Sequence, residues 1–261
     1  MATYEFITVE REGPLTVLTM NRPDVMNAVH APMHREMGAA LDAFAADPEQ
    51  WVAIITGAGP RAFSAGNDLK ATAAGADLSW PEAGFGGITN RWDLSKPVIA
   101  AVNGVAMGGG FEIALACDLI IAADTAVFAL PEPRVGLAAL AGGMHRLPRE
   151  IGLKRAMSMI LTARRVGAAE GKELGFVNEV VPAAELMDAA RRWAGLILDC
   201  GPMSVRASKE AAYKGLDEPS LRAALENQAQ YPAVRALYRS EDFKEGPKAF
   251  AEKRAPQWQG R

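Results

Sequence analysis

One stretch, Val98 to Glu112, constrains the fold more than any other part of the chain. Val98-Ile-Ala-Ala-Val102 is an unbroken apolar run, followed by Asn103-Gly104 and then by Gly108-Gly109-Gly110-Phe111-Glu112. An apolar run of that length, followed by glycine, reads as a strand, and the glycines behind it open a helix. A join of this kind aims backbone N–H groups and the positive end of the helix dipole at one spot. Such a spot suits a phosphate, a carboxylate or a developing oxyanion. Glycines placed there would equally serve close helix packing, and the segment alone does not choose between the two.

The surrounding chain repeats the same grammar. Tyr4–Val9 and Leu15–Met20 alternate around Arg11-Glu12-Gly13-Pro14, which predicts a hairpin. Met33, Met37, Leu41 and Phe44 recur at helical spacing over Pro32–Phe44. Val52–Thr56 reads as a buried strand leaving into Gly57-Ala58-Gly59-Pro60; Leu119–Ala123 and Ala126–Leu130 read as two more strands. Strands alternating with helices make an α/β core. After about Arg146 the pattern turns helical, over 152–162, 168–174, 183–199, 203–214 and 218–238, with only Val177–Val181 strand-like.

Composition removes several classes of function. Lys and Arg number 28 against 31 Asp and Glu, and the net charge of -3 disfavours a coat for nucleic acid or for anionic membrane. The longest uncharged apolar candidate, Val98–Phe111, holds Asn103 and four glycines, so no membrane span is expected. Met1–Phe6 has neither a basic nor an apolar leader region, which makes a cytoplasmic protein the expectation. Two cysteines, Cys117 and Cys200, supply neither a disulfide framework nor a four-ligand zinc site. His30 and His34 are four residues apart, but no Glu follows His30 and Pro32 puts the pair at a helix start; a surface or capping role is expected and no metal.

Three features remain as candidates for chemistry. Ala62-Phe63-Ser64-Ala65-Gly66 is one residue away from a Gly-x-Ser-x-Gly nucleophile elbow, but a serine there needs a base, and His145 is the only downstream choice; otherwise Ser64 is a small residue in a tight loop. Phe63-Ser-Ala-Gly66-Asn67-Asp68-Leu69 is a second glycine loop, equivalent to Gly108–Gly110, so the two loops could aim one N–H each at a single oxygen. Glu112 opens the helix beside the glycines in an apolar setting, and Glu132 is fixed by Pro131 and Pro133. A carboxyl in apolar surroundings has a raised pKa and suits acid–base work. An exposed loop residue, or for Glu132 a salt bridge to Arg134, is the alternative for each taken singly.

Taken together these segments resemble the crotonase superfamily, and within it the enoyl-CoA hydratases. The likeness is carried by Asn21-Arg22-Pro23, Asn27-Ala28, Ala62–Lys70, Lys96–Asp118, Phe128–Glu132 and the tail Glu245–Arg254, nearly the whole chain. Phe63–Ala71, Gly108–Ala116 and the ending Lys253–Arg261 look most like the carnitinyl-CoA dehydratase branch. The resemblance implies an α/β crotonase-like spiral of ββα units over residues 1–200 that binds acyl-CoA, and a helical C-terminal region over 201–261 for oligomerisation, as a trimer or dimer of trimers. It implies reversible addition of water to a trans-2-enoyl-CoA; isomerisation of an enoyl-CoA, or hydrolysis of a thioester or C–C bond, is the alternative within the fold, and a non-catalytic CoA-binding subunit is the rival outside catalysis. CoA enters as part of the substrate, and no cofactor is implied. Motif by motif, Glu112 and Glu132 fall on the catalytic carboxylates, and Asn67 and Gly109 on the oxyanion-hole donors. Met26, Ala28, Ala65, Gly66, Asp68, Leu69, Tyr238 and Lys253 fall on positions that contact the CoA ester. Ala139-Leu140 stand where the hydratases have Pro-Gly, a glycine that lends its N–H to the reacting water; Leu140 keeps an N–H but brings a side chain toward the acyl pocket. His145 replaces a common Gln. For the carnitinyl branch, Trp80, Phe85 and Trp92 offer aromatic faces to a quaternary ammonium group.

Overall fold

The hairpin is present, displaced toward its turn. A computed structural model describes residues 3–75 and 80–261; Met1 and Ala2, where the leader region was sought, lie outside them. β1 (Ile7–Glu12) pairs antiparallel with β2 (Leu15–Met20), Glu12 opposite Leu15. Pairing carries the first strand through Glu10-Arg11-Glu12, residues whose charge hides them from an apolar-alternation rule.

From β2 the chain winds. α1 (Ala31–Ala46) crosses to β3 (Val52–Gly57), parallel to β2, and β4 (Ala62–Ser64) and α2 (Leu69–Ala73) follow. β5 (Val98–Val102) lies beside β3, β6 (Val105–Met107) beside β4, and α3 (Gly109–Ala116) closes that turn. β7 (Leu119–Ala123) then lies beside β5, and β8 (Val127–Ala129) beside β6. After α4 (Gly143–Ile151) and α5 (Leu153–Thr162), β9 (Val166–Gly167) pairs antiparallel with β8; α6 (Ala168–Leu174) leads to β10 (Glu179–Val181), parallel to β7. Each turn thus gives one strand to a six-stranded sheet ordered β1-β2-β3-β5-β7-β10 and one to a four-stranded sheet ordered β4-β6-β8-β9. This is the expected spiral of ββα units.

The six-stranded sheet is covered on both faces. Along β5, Val98, Ala100 and Val102 join the core with α1 and α3, while Ile99 and Ala101 join a second core beneath α7 (Leu186–Leu198). That two-sided burial is why the strand reads as a continuous apolar run. Phe111, Phe128 and Phe176 close the core around α3, with ring centroids 5.2 Å apart in each pair.

Helices α8 (Pro202–Asp217), α9 (Leu221–Asn227), α10 (Pro232–Arg239) and α11 (Asp242–Ala251) complete the chain. The helix expected over 218–238 is broken by a 3-10 turn at Gln228–Gln230 and by Pro232, which keeps Tyr231 extended. Lys209 of α8 docks this layer on the spiral, donating to Asp118 Oδ2 at 2.7 Å and to the Lys96 carbonyl at 2.9 Å. Among the described residues no helix is long and apolar enough to cross a membrane.

Candidate active site

The site begins with two extended segments lying side by side. Met26 and Asn27 both take left-handed backbone, φ 55° and 54°, and turn the chain so that 26–29 runs along 65–68. Ala65 N–H donates to the Met26 carbonyl at 2.9 Å, Val29 N–H to that of Gly66 at 2.8 Å, and Asp68 N–H to that of Val29 at 3.0 Å. The Asn27 side chain, fully buried, makes this conformation affordable: its amide donates to the carbonyls of Ala58 and Ala62, and its oxygen accepts Arg22 N–H. Arg22 in turn pairs with Asp68 at 3.0 Å. Burial pushes the Asp68 carboxyl up, but the Ala71 N–H and Arg22 outweigh it and hold the group below its usual range. Met26, Ala28, Ala65, Asp68 and Leu69 are therefore brought onto two paired segments.

That pair leads directly to the start of α3. Gly66, φ 86°, lies so close to the second loop that a Cβ on it would stand 2.5 Å from the Met107 carbonyl and 2.9 Å from Gly109 N. The two glycine loops therefore meet, as anticipated, with Asn67 on one and Gly109 on the other. Gly109 is the first residue of α3, where an N–H has no acceptor within the helix. Gly108, φ 52°, is the other enforced glycine: a Cβ there would stand 2.6 Å from Glu132 Oε1. The Glu132 carboxylate thus lies against the helix start, carried by the turn Glu132–Val135 after β8.

Glu112 lies one turn inside α3 and is 3% exposed. Its Oε1 accepts the Gly143 N–H at 2.8 Å, at the first residue of α4. Burial pushes the carboxyl up to about 7, against the Gly143 and Ala141 N–H groups and Arg146, while the Glu132 charge adds to the rise. Burial also raises Glu132, whose Oε2 is buried with no hydrogen-bond partner among the described residues. Two neighbouring carboxyls, both with raised pKa values and one with an oxygen left for a bound molecule, suit acid–base exchange with that molecule. Among the described residues, no group of three or more His, Cys, Asp or Glu could hold a metal.

Other sequence candidates lie apart from this cluster or serve it structurally. Ser64 is fully buried; its hydroxyl donates to the Asn27 carbonyl at 2.8 Å and accepts Gly66 N–H, and His145 is exposed, so the nucleophile-elbow reading gives way to that of a turn residue. His34 is not at the surface: it is buried, and its Nδ1 accepts Gly86 N–H at 2.8 Å. Leu140 donates its N–H to the Ala138 carbonyl, and its side chain is 68% exposed. Phe85 is buried with its ring against Gly109, and Trp80 stands edge-on to it at 5.7 Å. Trp92 is exposed, and Arg146 stands over one face of its ring, Cζ 5.3 Å from the centroid. Tyr238 packs edge-on to Phe243 at the α10–α11 join, and Lys253 follows α11 with φ 54°. Sequence reasoning missed Asn27 and Arg22 as the scaffold of the two paired segments, and Gly143 as the donor to Glu112. Asn21-Arg22-Pro23 and Asn27-Ala28 stood out as a motif, but their hydrogen bonds span up to 46 positions and leave no local pattern.

A model of the enoyl-CoA hydratase/isomerase family matches residues 10–261. The carnitinyl-CoA dehydratase of Salmonella typhi is 44% identical over 264 residues, covering 98% of this chain and 99% of that protein. Among solved structures, an enoyl-CoA hydratase from Mycobacterium tuberculosis H37Rv has a TM-score of 0.91 at 39% identity, over 98% of this chain and 99% of the other. A carnitinyl-CoA hydratase from Mycobacterium avium has a TM-score of 0.79 at 42% identity, over 99% and 100%. Matched in sequence and fold over nearly its whole length, the chain belongs to the enoyl-CoA hydratase/isomerase family.

Proposed function

We propose that the protein is an enoyl-CoA hydratase, a hydro-lyase that adds water reversibly to a trans-2-enoyl-CoA to give a 3-hydroxyacyl-CoA. The observation that carries this reading is the carboxyl pair around the start of α3, with Glu132 Oε2 buried and unpartnered among the described residues and Glu112 pushed up to about 7. Water forms a bond to the β carbon, the electron pair of the double bond moves toward the thioester oxygen, and the α carbon takes a proton. Glu112 accepts the proton of the water; Glu132 delivers one to the α carbon. The thioester oxygen rests between the N–H groups of Asn67 and Gly109, where each donor is worth roughly 3–4 kcal/mol of transition-state stabilisation. The scheme calls for no metal and no redox cofactor, and the CoA moiety arrives with the substrate.

Met26, Ala28, Ala65, Gly66, Asp68 and Leu69 carry the CoA ester along the paired segments, on a core spanning 1–200. Residues 201–261 hold the chain in a trimer or a dimer of trimers, and Tyr238 and Lys253 meet CoA from that layer. Support comes from large apolar side chains left uncovered there, with Leu221 78% and Phe250 87% exposed. A cytoplasmic location agrees with Cys117 and Cys200, which are both free thiols. Supported by the likeness to the Salmonella typhi protein, the proposed substrate range includes carnitinyl-type acyl groups, with Leu140 and Trp80 at the acyl end.

The test is hydration of an enoyl-CoA panel that includes crotonyl-CoA and crotonobetainyl-CoA. Glu112→Gln and Glu132→Gln should each lower turnover by orders of magnitude while acyl-CoA binding persists. The double variant should be little worse than the poorer single one, because both carboxyls serve one event. Near-normal hydration by Glu112→Gln would remove Glu112 from the water step, double-bond migration without hydration by the wild type would make the protein an isomerase, and near-normal hydration by both variants would put the chemistry elsewhere.

A further inference from the structure

Arg146 lies one turn into α4 and folds back over the turn that serves Glu112. Its backbone N–H donates to the Gly142 carbonyl at 2.8 Å, and its guanidinium covers Gly142 so closely that a Cβ there would strike Nη1. Nη2 reaches across to the Thr89 carbonyl at 2.7 Å, and the guanidinium carbon stands over the ring of Trp92, itself 75% exposed, 5.3 Å from its centroid. One side chain therefore ties two separate segments. Residues 85–92 place Phe85 against Gly109, and Gly142-Gly143 present the N–H that Glu112 accepts. A guanidinium can bond a carbonyl through one nitrogen while its carbon stands over a ring, which the single point charge of a lysine ammonium cannot reproduce.

We propose that Arg146 is a positioning residue for the reaction: it clamps the 85–92 segment to the Gly142-Gly143 turn and so fixes the Glu112 carboxylate relative to the oxyanion-hole helix. The proposal rests on the hydratase reading for its kinetic consequence but not for its geometry. The groups that act electrostatically on Arg146 are Glu112 of α3, Cys117 after it, Arg149 and Glu150 of α4 and Tyr213 of α8; those that act on Glu112 are Glu132 and Arg146. The positive charge of Arg146 favours ionised Glu112, so its loss moves the Glu112 titration upward.

The experiment compares the full-length wild type with Arg146→Met, Arg146→Lys and Trp92→Leu, using crotonyl-CoA kinetics and NMR of the Gly143 amide and the ¹³C-labelled Glu112 carboxyl. Arg146→Met should lower kcat roughly 10- to 100-fold with KM little changed, as expected for a misplaced catalytic group. Its Gly143 amide should lose the carboxylate-bonded shift, and Glu112 should titrate at higher pH. Arg146→Lys should return the titration toward the wild-type value but recover only part of kcat, because it restores the charge and not the clamp. Trp92→Leu should give a smaller kcat loss with a measurable change at Gly143. Wild-type kcat together with an unchanged Gly143 amide in Arg146→Met overturns the proposal, as does parallel loss of kcat and KM in both Arg146 variants with Trp92→Leu silent. Should Arg146→Met fail to fold, Arg146→Lys and Trp92→Leu decide by the same amide. A wild type that hydrates no enoyl-CoA refutes the functional reading, while the Gly143 and Glu112 signals still judge the clamp.

Discussion

Glu112 is kept in a protonation state that the unfolded chain does not share. Buried beside Phe111 and bonded to Gly143, it titrates at about 7, whereas a glutamate in an unfolded chain titrates near ~4.3. Between those values the folded chain holds a proton that the unfolded chain has lost. The contribution to stability is therefore fully present below the lower value and is lost as pH rises through the upper one. Glu112→Gln keeps an oxygen for Gly143 and removes the titration. It should raise unfolding stability at pH 8 by roughly 1–3 kcal/mol and leave it nearly unchanged at pH 4. Urea denaturation at the two pH values checks this, and equal shifts at both would contradict it. Both glutamates were legible as candidates because each stands where its neighbours are apolar or proline. The partners that tune them were not, since Gly143 and Ala141 act through backbone N–H groups that no side chain advertises.

At the scale of elements, the segment 84–88 is pinned by a residue that sequence pattern assigned to the surface. His34 titrates at about 4, chiefly because it is buried, and as the neutral ring it accepts Gly86 N–H. With the unfolded value near ~6.5, its stabilising share is present above that pH and is lost as pH falls toward 4. His34→Leu orphans the Gly86 N–H and should cost roughly 1–3 kcal/mol at pH 7, with a smaller difference from wild type at pH 4. Amide exchange should quicken over residues 84–88; unaltered exchange there would show that His34 does not hold the segment. Strands with five or more apolar residues, such as β5 and β7, were readable from sequence, and so was α1 from its spacing. β4, β6 and β9 were not: they are two or three residues long and find their partners in the neighbouring turn of the spiral, far along the sequence. α4 was hidden for a related reason, opening on Gly143 and holding Pro148 inside, so its helical hydrogen bonds run against propensity.

At the scale of the whole molecule, the uncovered apolar side chains of the helical layer set an expectation for assembly. Leu221 of α9 and Phe250 of α11 would be costly to leave in water on a permanently free chain. Light scattering at micromolar concentration should return three or six times the chain mass, and the pair Leu221→Glu with Phe250→Glu should lower it while circular dichroism stays unchanged. A single-chain mass for the wild type would remove the basis for the oligomer. The two sheets carry one more implication through their order. Both β1-β2-β3-β5-β7-β10 and β4-β6-β8-β9 rise strictly with position in the chain, so every new strand joins the edge left by its predecessor and none must be inserted between two already paired. A ribosome releasing this protein from its N-terminus would hand over the strands in the order in which the sheets can accept them, with a growing edge always open and nothing laid down that has to be undone.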